Sequence, residues 1–241
     1  MIVDLFIPCY MDQVFPETAN NFVKILEKAG CAVNYNVEQT CCGRPAFADG
    51  FIEECKQVGE KLIREFQNER FIVCPGSLCT SMVKTLYPEI FHNSSLHNEY
   101  KNVQKYFYEF SDFLVNVLHV TDFGASLNGT AVFHDSCRAL HELNIVGAPR
   151  QLLQNVKGLT LVEPQGCHEC CGFGTSFSEK FENISVDIGK RRLEVLQNAE
   201  TDFIISTDLS CLMHLQSMAS KKEKPQRMMH LADVLMNVQT A

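Results

Sequence analysis

Twelve of the 241 residues are cysteine, at positions 9, 31, 41, 42, 55, 74, 79, 137, 167, 170, 171 and 211. Two pairs are adjacent, and glycine follows each: TCCGRPAFADG at 40–50 and ECCGFGTSFSE at 169–179. The opening segment, MIVDLFIPCYMDQ, has no basic stretch and reads as a strand rather than an export signal. Cysteine at this density without an export signal points to metal or redox chemistry rather than to disulfides. Neighbouring side chains diverge. Two adjacent thiolates therefore reach two irons of a multinuclear cluster more readily than they chelate one tetrahedral zinc, which usually draws on Cys-x-x-Cys knuckles. An iron–sulfur site is the leading expectation; structural zinc and plain buried thiols are the alternatives.

The spacing repeats. With the triplets at 41–43 and 170–172 aligned at an offset of 129 residues, Cys9 falls opposite Cys137 at an offset of 128, and Cys79 opposite Cys211 at 132. EFSDFLVNVL at 109–118 likewise parallels HLADVLMNV at 230–238. The chain is a duplication, with halves at 1–120 and 130–241 and a linker, TDFGASLNG, at 121–129.

Short apolar or β-branched runs alternate with amphipathic segments in both halves. Strands are expected at 3–8, 31–37 and 71–75, then at 130–135, 159–164 and 202–208. Helices are expected at 16–29, where Gly30 gives the stop, and along the Cys55/Val58/Leu62/Phe66 face. Another follows from SLCTSMVKTLY, and KNVQKYFYEFSDFLVNVL closes the half as one long helix. The second half places helices near 147–156, 176–198, 209–220 and 230–238. This alternation predicts an α/β fold of two tandem, pseudo-repeated βαβ (Rossmann-like) halves with parallel sheets. Cys9, Cys79, Cys137 and Cys211 then follow strands, at the sheet edge where such folds collect ligands. Cys41 and Cys42, and Cys170 and Cys171, arrive there on loops whose Gly43 and Gly172 can adopt positive φ and let backbone approach an inorganic core. A helix N-terminus at Cys79 and Cys211 would favour thiolate.

The formal net charge of −8, with only the short basic run KKEK at 221–224, argues against nucleic acid. No apolar run approaches the length of an integral membrane segment, and a cytoplasmic location is expected. No nucleophile–base pair, phosphate loop or dinucleotide fingerprint is visible, since GFGTSF lacks the required glycine spacing.

Cys, 31 residues, Cys-Cys-Gly and a later Cys, given twice with a one-residue variation, resembles the duplicated cysteine-rich "CCG" domain found in heterodisulfide reductases and in the iron–sulfur components of glycolate and glycerol-3-phosphate oxidation systems. IPCYMDQVFPE, EQTCCGRPAF, FHDSCRALHELNI, CCGFGTSFS and STDLSCLMHL are most similar to the lactate utilization protein A family, across essentially the whole chain. The resemblance implies an iron–sulfur electron-transfer subunit of a multi-protein system oxidising L-lactate to pyruvate. Its implied partners are a ferredoxin-like iron–sulfur protein and a third subunit. It also implies 4Fe–4S clusters, up to one per half, on Cys9, Cys41, Cys42 and Cys79 and on Cys137, Cys170, Cys171 and Cys211. A heterodisulfide reductase-like or glycolate oxidase subunit, and a zinc-stapled interaction module, are the rival readings. The reductase pattern ends each half in Cys-x-x-Cys, but here Met82 and His214 hold the last position. The fifth thiol of the noncubane clusters is thus missing, which weakens direct disulfide reduction.

Other residues admit two readings. Cys31 and Cys55 are expected in the core, Cys74 could replace Cys79, and Cys167 has no counterpart in the first half. His134 and His214 either donate to cluster sulfur or serve structure. Arg44 and Arg138 either offset cluster charge or face solvent, and Phe173 and Phe177 either shield a cluster or pack in the core.

Overall fold

The computed structural model describes residues 1–164, 169–219 and 226–237; Cys167, the basic run at 221–224 and Val238 fall outside them. Strands β1 (Ile2–Leu5), β2 (Ala32–Tyr35), β3 (Phe71–Cys74) and β4 (Phe107–Glu109) form one sheet in the order β2-β1-β3-β4. Strands β5 (Ser126–Phe133), β6 (Lys157–Val162), β7 (Phe203–Ser206) and β8 (Arg227–His230) form a second in the order β6-β5-β7-β8. The order is the same once the halves are matched, and every pairing is parallel. Parallel sheets need cover on both faces, so the inner strands β3 (FIVC) and β7 (FIIS) are apolar but for Ser206. Asp4 is the polar exception in β1; it accepts from Asn34 Nδ2 (2.6 Å) and Asn68 Nδ2 (2.7 Å) and pairs with Arg70.

The duplication extends to side-chain burial. Helix Ile52–Phe66 buries Cys55, Gly59, Leu62, Ile63 and Phe66; helix Glu182–Gln197 buries Ser185, Gly189, Arg192, Leu193 and Leu196. Each position matches the other at an offset of 130 residues. Helix Pro16–Lys28 begins on proline, which suits a first helical position, and buries Phe22, Ile25 and Leu26 on one face. It ends as expected at Gly30, where the Cys31 N–H turns back to the Leu26 carbonyl at 3.0 Å.

Three expectations are corrected. The closing helix of the first half is interrupted: helix His97–Tyr106 gives way to β4, and helix Phe110–Asp112 follows, continuing as a π-helical turn, Phe113–Val117. Tyr106 to Phe110 is aromatic at four of five positions, a composition that suits a strand, and β4 pairs with β3 in the register Ile72↔Phe107, Val73↔Tyr108, Cys74↔Glu109. Each sheet thus has a fourth strand, RMMH in the second half. The segment 121–129 is not all linker, because β5 begins at Ser126 and carries a register irregularity up to Gly129. The helix expected at 176–198 breaks at Phe181, which leaves helical backbone at φ −129° and ψ 48°.

One hydrophobic core crosses the boundary between halves. Val3, Leu5, Phe22 and Phe110 belong to the same cluster as Ala131, Leu152, Ile204 and Leu231. The C-terminal helix Leu231–Met236 lies against helix Pro16–Lys28, where Asp233 accepts from Thr18 Oγ1 (3.0 Å) and Asn21 Nδ2 (2.9 Å). Among the described residues no helix is long and apolar enough to cross a membrane.

Candidate metal centres

Three separate loops deliver sulfur to each site. Cys9 opens the helix Cys9–Val14 after β1, Cys41 and Cys42 lie in the loop after β2, and Cys79 is the third residue of helix Ser77–Ser81 after β3. Their side chains are strung in hydrogen-bonding reach, Cys9 to Cys41, Cys41 to Cys42 and Cys42 to Cys79. In the second half Cys137 reaches Cys170, Cys170 reaches Cys171, and the Sγ atoms of Cys171 and Cys211 stand 2.9 Å apart. Cys211 is again the third residue of its helix, Leu209–Met218. All four second-half thiols border one cavity of about 60 Å³, together with Ser136, Phe173 and Asp208.

The electrostatics repeat as well. Hydrogen bonds from Cys42 and then Cys9 hold the Cys41 thiol down to about 3, and those from Cys137 and Cys171 hold Cys170 down to about 2. The Gly43 N–H adds a bond to Cys41 Sγ at 3.4 Å, and the Gly172 N–H one to Cys170 Sγ at 3.3 Å. The other thiols at these two sites whose acidity is perturbed are pushed up: Cys9, Cys42 and Cys137 chiefly by a bond to the thiolate beside them, Cys79 by its bond to Cys42 and Cys171 by its bond to Cys170. In each set the adjacent pair's first cysteine, Cys41 or Cys170, is the thiol most favoured to ionise. A cation placed among the raised thiols would favour their deprotonation.

The CCG glycines make the loops fit. Gly43 has φ +86°, and a Cβ there would stand 3.0 Å from Cys55 Sγ; Gly172 has φ +87°, and a Cβ would stand 2.5 Å from the Ser185 carbonyl oxygen. Glycine lets both loops sit directly on a helix while turning their N–H groups toward sulfur. Four thiols, inward backbone donors and a lined cavity are a donor set suited to an iron–sulfur cluster.

The remaining cysteines divide. Cys31 and Cys55 are buried, and burial raises the Cys55 thiol to about 11. Cys74 is buried beside Cys79, and its Sγ–H bonds to the Gly76 carbonyl at 3.3 Å. The eleven described cysteines are all free.

Beneath the second set lies a polar floor. His134 is fully buried, and Arg192 Nε donates to its Nδ1 at 3.1 Å. Burial, reinforced by Arg192, pushes the His134 imidazole down to about 3, so it is neutral. A ring nitrogen of His134 lies within 4.8 Å of the Cys171 and Cys211 sulfurs. Ser185 Oγ donates to the Gly172 carbonyl (2.8 Å), which makes His214 Nε2 the donor in its 3.0 Å bond with Ser185. The first-half counterparts are Phe6, Cys55, Leu62 and Met82, all buried. Phe173 borders the cavity edge-on to His214, whereas Phe177 packs on Phe181.

The two sets meet across the seam through their immediate neighbours. Ser77 Oγ donates to the Asp208 carboxylate and accepts from Ser136 Oγ at 2.6 Å. The Ser210 N–H donates to Tyr10 Oη at 3.1 Å. Arg44 is buried rather than solvent-facing; it stands 3.8 Å from Glu142, which also binds Arg138, and its guanidinium senses both Cys42 and Cys137. Reading the sequence for thiols alone missed Arg192, Ser185 and Asp208. The signal was present in the repeat: position-by-position comparison sets Arg192 against Leu62 and His134 against Phe6.

Fold and site together define a duplicated α/β protein carrying one sulfur-rich site per half. A family model described as a cysteine-rich domain (CCG) matches residues 3–84 and again 131–216. Lactate utilization protein A of Geobacillus kaustophilus is 39% identical over 236 residues, covering 98% of both chains. The proteins of that name from Anoxybacillus flavithermus and Bacillus subtilis are 38% and 35% identical over the same length, covering 98% of this chain and 99% of theirs. The chain belongs to the CCG cysteine-rich family and, within it, to the lactate utilization protein A family. A crystal structure of a hypothetical protein from Helicobacter pylori has the same fold, with a TM-score of 0.59 at 12% identity, over all of this chain and 49% of that one.

Proposed function

We propose that this protein serves lactate utilization as the iron–sulfur electron-transfer subunit of an assembly oxidising L-lactate to pyruvate. Each half would hold one 4Fe–4S cluster, the first on Cys9, Cys41, Cys42 and Cys79, the second on Cys137, Cys170, Cys171 and Cys211. Its partners would be a ferredoxin-like iron–sulfur protein and a third subunit. The observation that carries the reading is the convergence, twice, of four thiols from three loops. The name shared by its relatives supports the lactate assignment.

Bound there, such a cluster supplies single-electron chemistry. The protein's own work is to hold and insulate it. Cys41 and Cys170 offer the first charge, the Gly43 and Gly172 N–H groups neutralise sulfur, and Phe173 narrows the second cavity against water. Arg44, between the two sets, counters negative charge at both.

Zinc on His134, Cys171 and Cys211 is the competing reading, since those groups are close enough for one ion. Arg192 argues against it. A guanidinium only donates, so His134 Nδ1 must accept, and the ring proton then occupies Nε2, the nitrogen zinc would need.

Protein purified without oxygen should contain iron and acid-labile sulfide in equal amounts, near eight of each per chain if both sites fill, about four per 4Fe–4S cluster. Reduction with dithionite should give a cluster EPR signal. Zinc without sulfide would discard the electron-transfer role. Mixed with its partners, the protein should be reduced by lactate; reduction by glycolate alone would move the substrate assignment and leave the cluster assignment standing.

A further inference from the structure

The repeat allows the two sites to be compared residue by residue, and the sulfur-bearing loops match while the floors do not. Under the first set lie Phe6, Leu62, Cys55 and Met82. Phe6 packs on Phe66 and Phe107, with ring centroids 5.9 and 5.5 Å away. Under the second set the same four positions are His134, Arg192, Ser185 and His214. His134 and Arg192 are both 0% exposed.

A guanidinium has five N–H groups and no acceptor, so the Arg192–His134 bond fixes the histidine tautomer. Nδ1 accepts and Nε2 carries hydrogen. That Nε2 has no hydrogen-bond partner among the described residues, although it is buried, and a ring nitrogen of His134 is within 4.8 Å of the Cys171 and Cys211 sulfurs. A buried donor without an acceptor is costly unless something electron-rich is to stand before it. Sulfur bearing added negative charge is such an acceptor.

Resting on the cluster reading above, we propose that the second site is built to be the stronger electron acceptor. His134, held as the Nε2–H tautomer by the positioning residue Arg192, donates to sulfur there, and among the described residues the first site has no equivalent donor. A hydrogen bond to cluster sulfur and a buried positive charge both stabilise the reduced state. Arg44 does not cancel this difference, because it senses Cys42 and Cys137 together. The floor sets the order of the two potentials.

The test is an EPR-monitored redox titration of the anaerobically loaded full chain. Wild type should show two waves. His134→Phe and Arg192→Leu, which import the first-half residues, should lower the higher-potential wave by about tenfold in its reduction equilibrium, or roughly 59 mV for one electron. The lower wave should not move. His134→Gln, which keeps an N–H donor, should restore most of the shift, as a purely structural role would not. Cys171→Ala, which empties the second site, should abolish the higher wave, and this holds even where the floor variants fold poorly. Loss of the lower wave instead, or floor variants with an unmoved higher wave, overturns the proposal while leaving two loaded clusters intact. Absence of iron and sulfide from wild type would instead remove the reading on which it rests.

Discussion

The two CCG glycines face the same demand with different tolerance, and alanine at each measures it. Both Gly43→Ala and Gly172→Ala place a side chain at φ near +86°, which costs about 1–2 kcal/mol for any non-glycine residue. The neighbours then separate them. At Gly43 the new methyl meets Cys55 Sγ at 3.0 Å and the Cys55 carbonyl oxygen at 3.3 Å, contacts relieved by a few tenths of an ångström. At Gly172 it meets the Ser185 carbonyl oxygen at 2.5 Å and the Gly189 nitrogen at 3.2 Å, both backbone of helix Glu182–Gln197. Backbone cannot rotate away, so the loop must lift, at an overpacking cost of roughly 1–3 kcal/mol more. Gly172→Ala should therefore lose about 2–5 kcal/mol, and Gly43→Ala nearer the lower figure of this range. Urea unfolding gives the ranking through the midpoints at unchanged slope. Lifting the loop also swings Cys170 and Cys171, so Gly172→Ala should bind about half the wild-type iron and sulfide, four thiolates per cluster being required. A Gly172→Ala protein as stable as wild type, with full iron, would refute the idea that these glycines exist for close approach.

Further expectations concern the seam and a buried acid. Ser77→Ala deletes a buried donor to Asp208 and leaves Ser136 without its acceptor; it should cost about 1–3 kcal/mol, and both halves should unfold in one transition. Two separated transitions by fluorescence and circular dichroism would contradict the shared core. Glu142→Gln should destabilise more than Arg44→Met, by roughly 1–2 kcal/mol, because it leaves two guanidinium groups facing each other whereas the arginine variant leaves the Arg138 pair whole; equal losses would mean Arg44 carries no charge-pairing role. Burial raises the Glu109 carboxyl from its ordinary 4.5 to about 8, so the folded protein binds the extra proton between these values and stability should fall as pH rises through them, by about 1.4 kcal/mol per unit. Glu109→Gln should remove that slope, and a wild-type-minus-variant difference that is flat from pH 5 to about pH 8 would show the carboxylate is already charged when folded.

The sulfur-bearing loops were legible because cysteine spacing survives duplication and because strand-loop-helix alternation dictates where such loops end. The fold class followed from the same alternation, with Gly30 marking a helix end where backbone geometry needs one. What escaped notice was decided by tertiary pairing. Phe107–Glu109 carries a helical pattern on both sides that hides its aromatic, strand-like composition, and pairing with the edge of β3 decides the outcome. Gly129 sits in a glycine-containing stretch that reads as linker, yet β6 recruits it into β5. Arg192 continues an ordinary basic helix surface in the sequence GKRRLE, and its burial depends on His134, distant by 58 residues. A polar pair of this kind shows only when the two repeats are set against each other, where Arg192 stands at the position of Leu62.

Helix Leu231–Met236 closes over helix Pro16–Lys28 rather than over its own neighbours alone. Thr18 and Asp233, 215 positions apart, share a bond there, so part of the first repeat is roofed by the second. Neither repeat owns a complete cover. Cutting the molecule between them would bare apolar surface on both fragments, the kind of patch that makes separated pieces stick to one another.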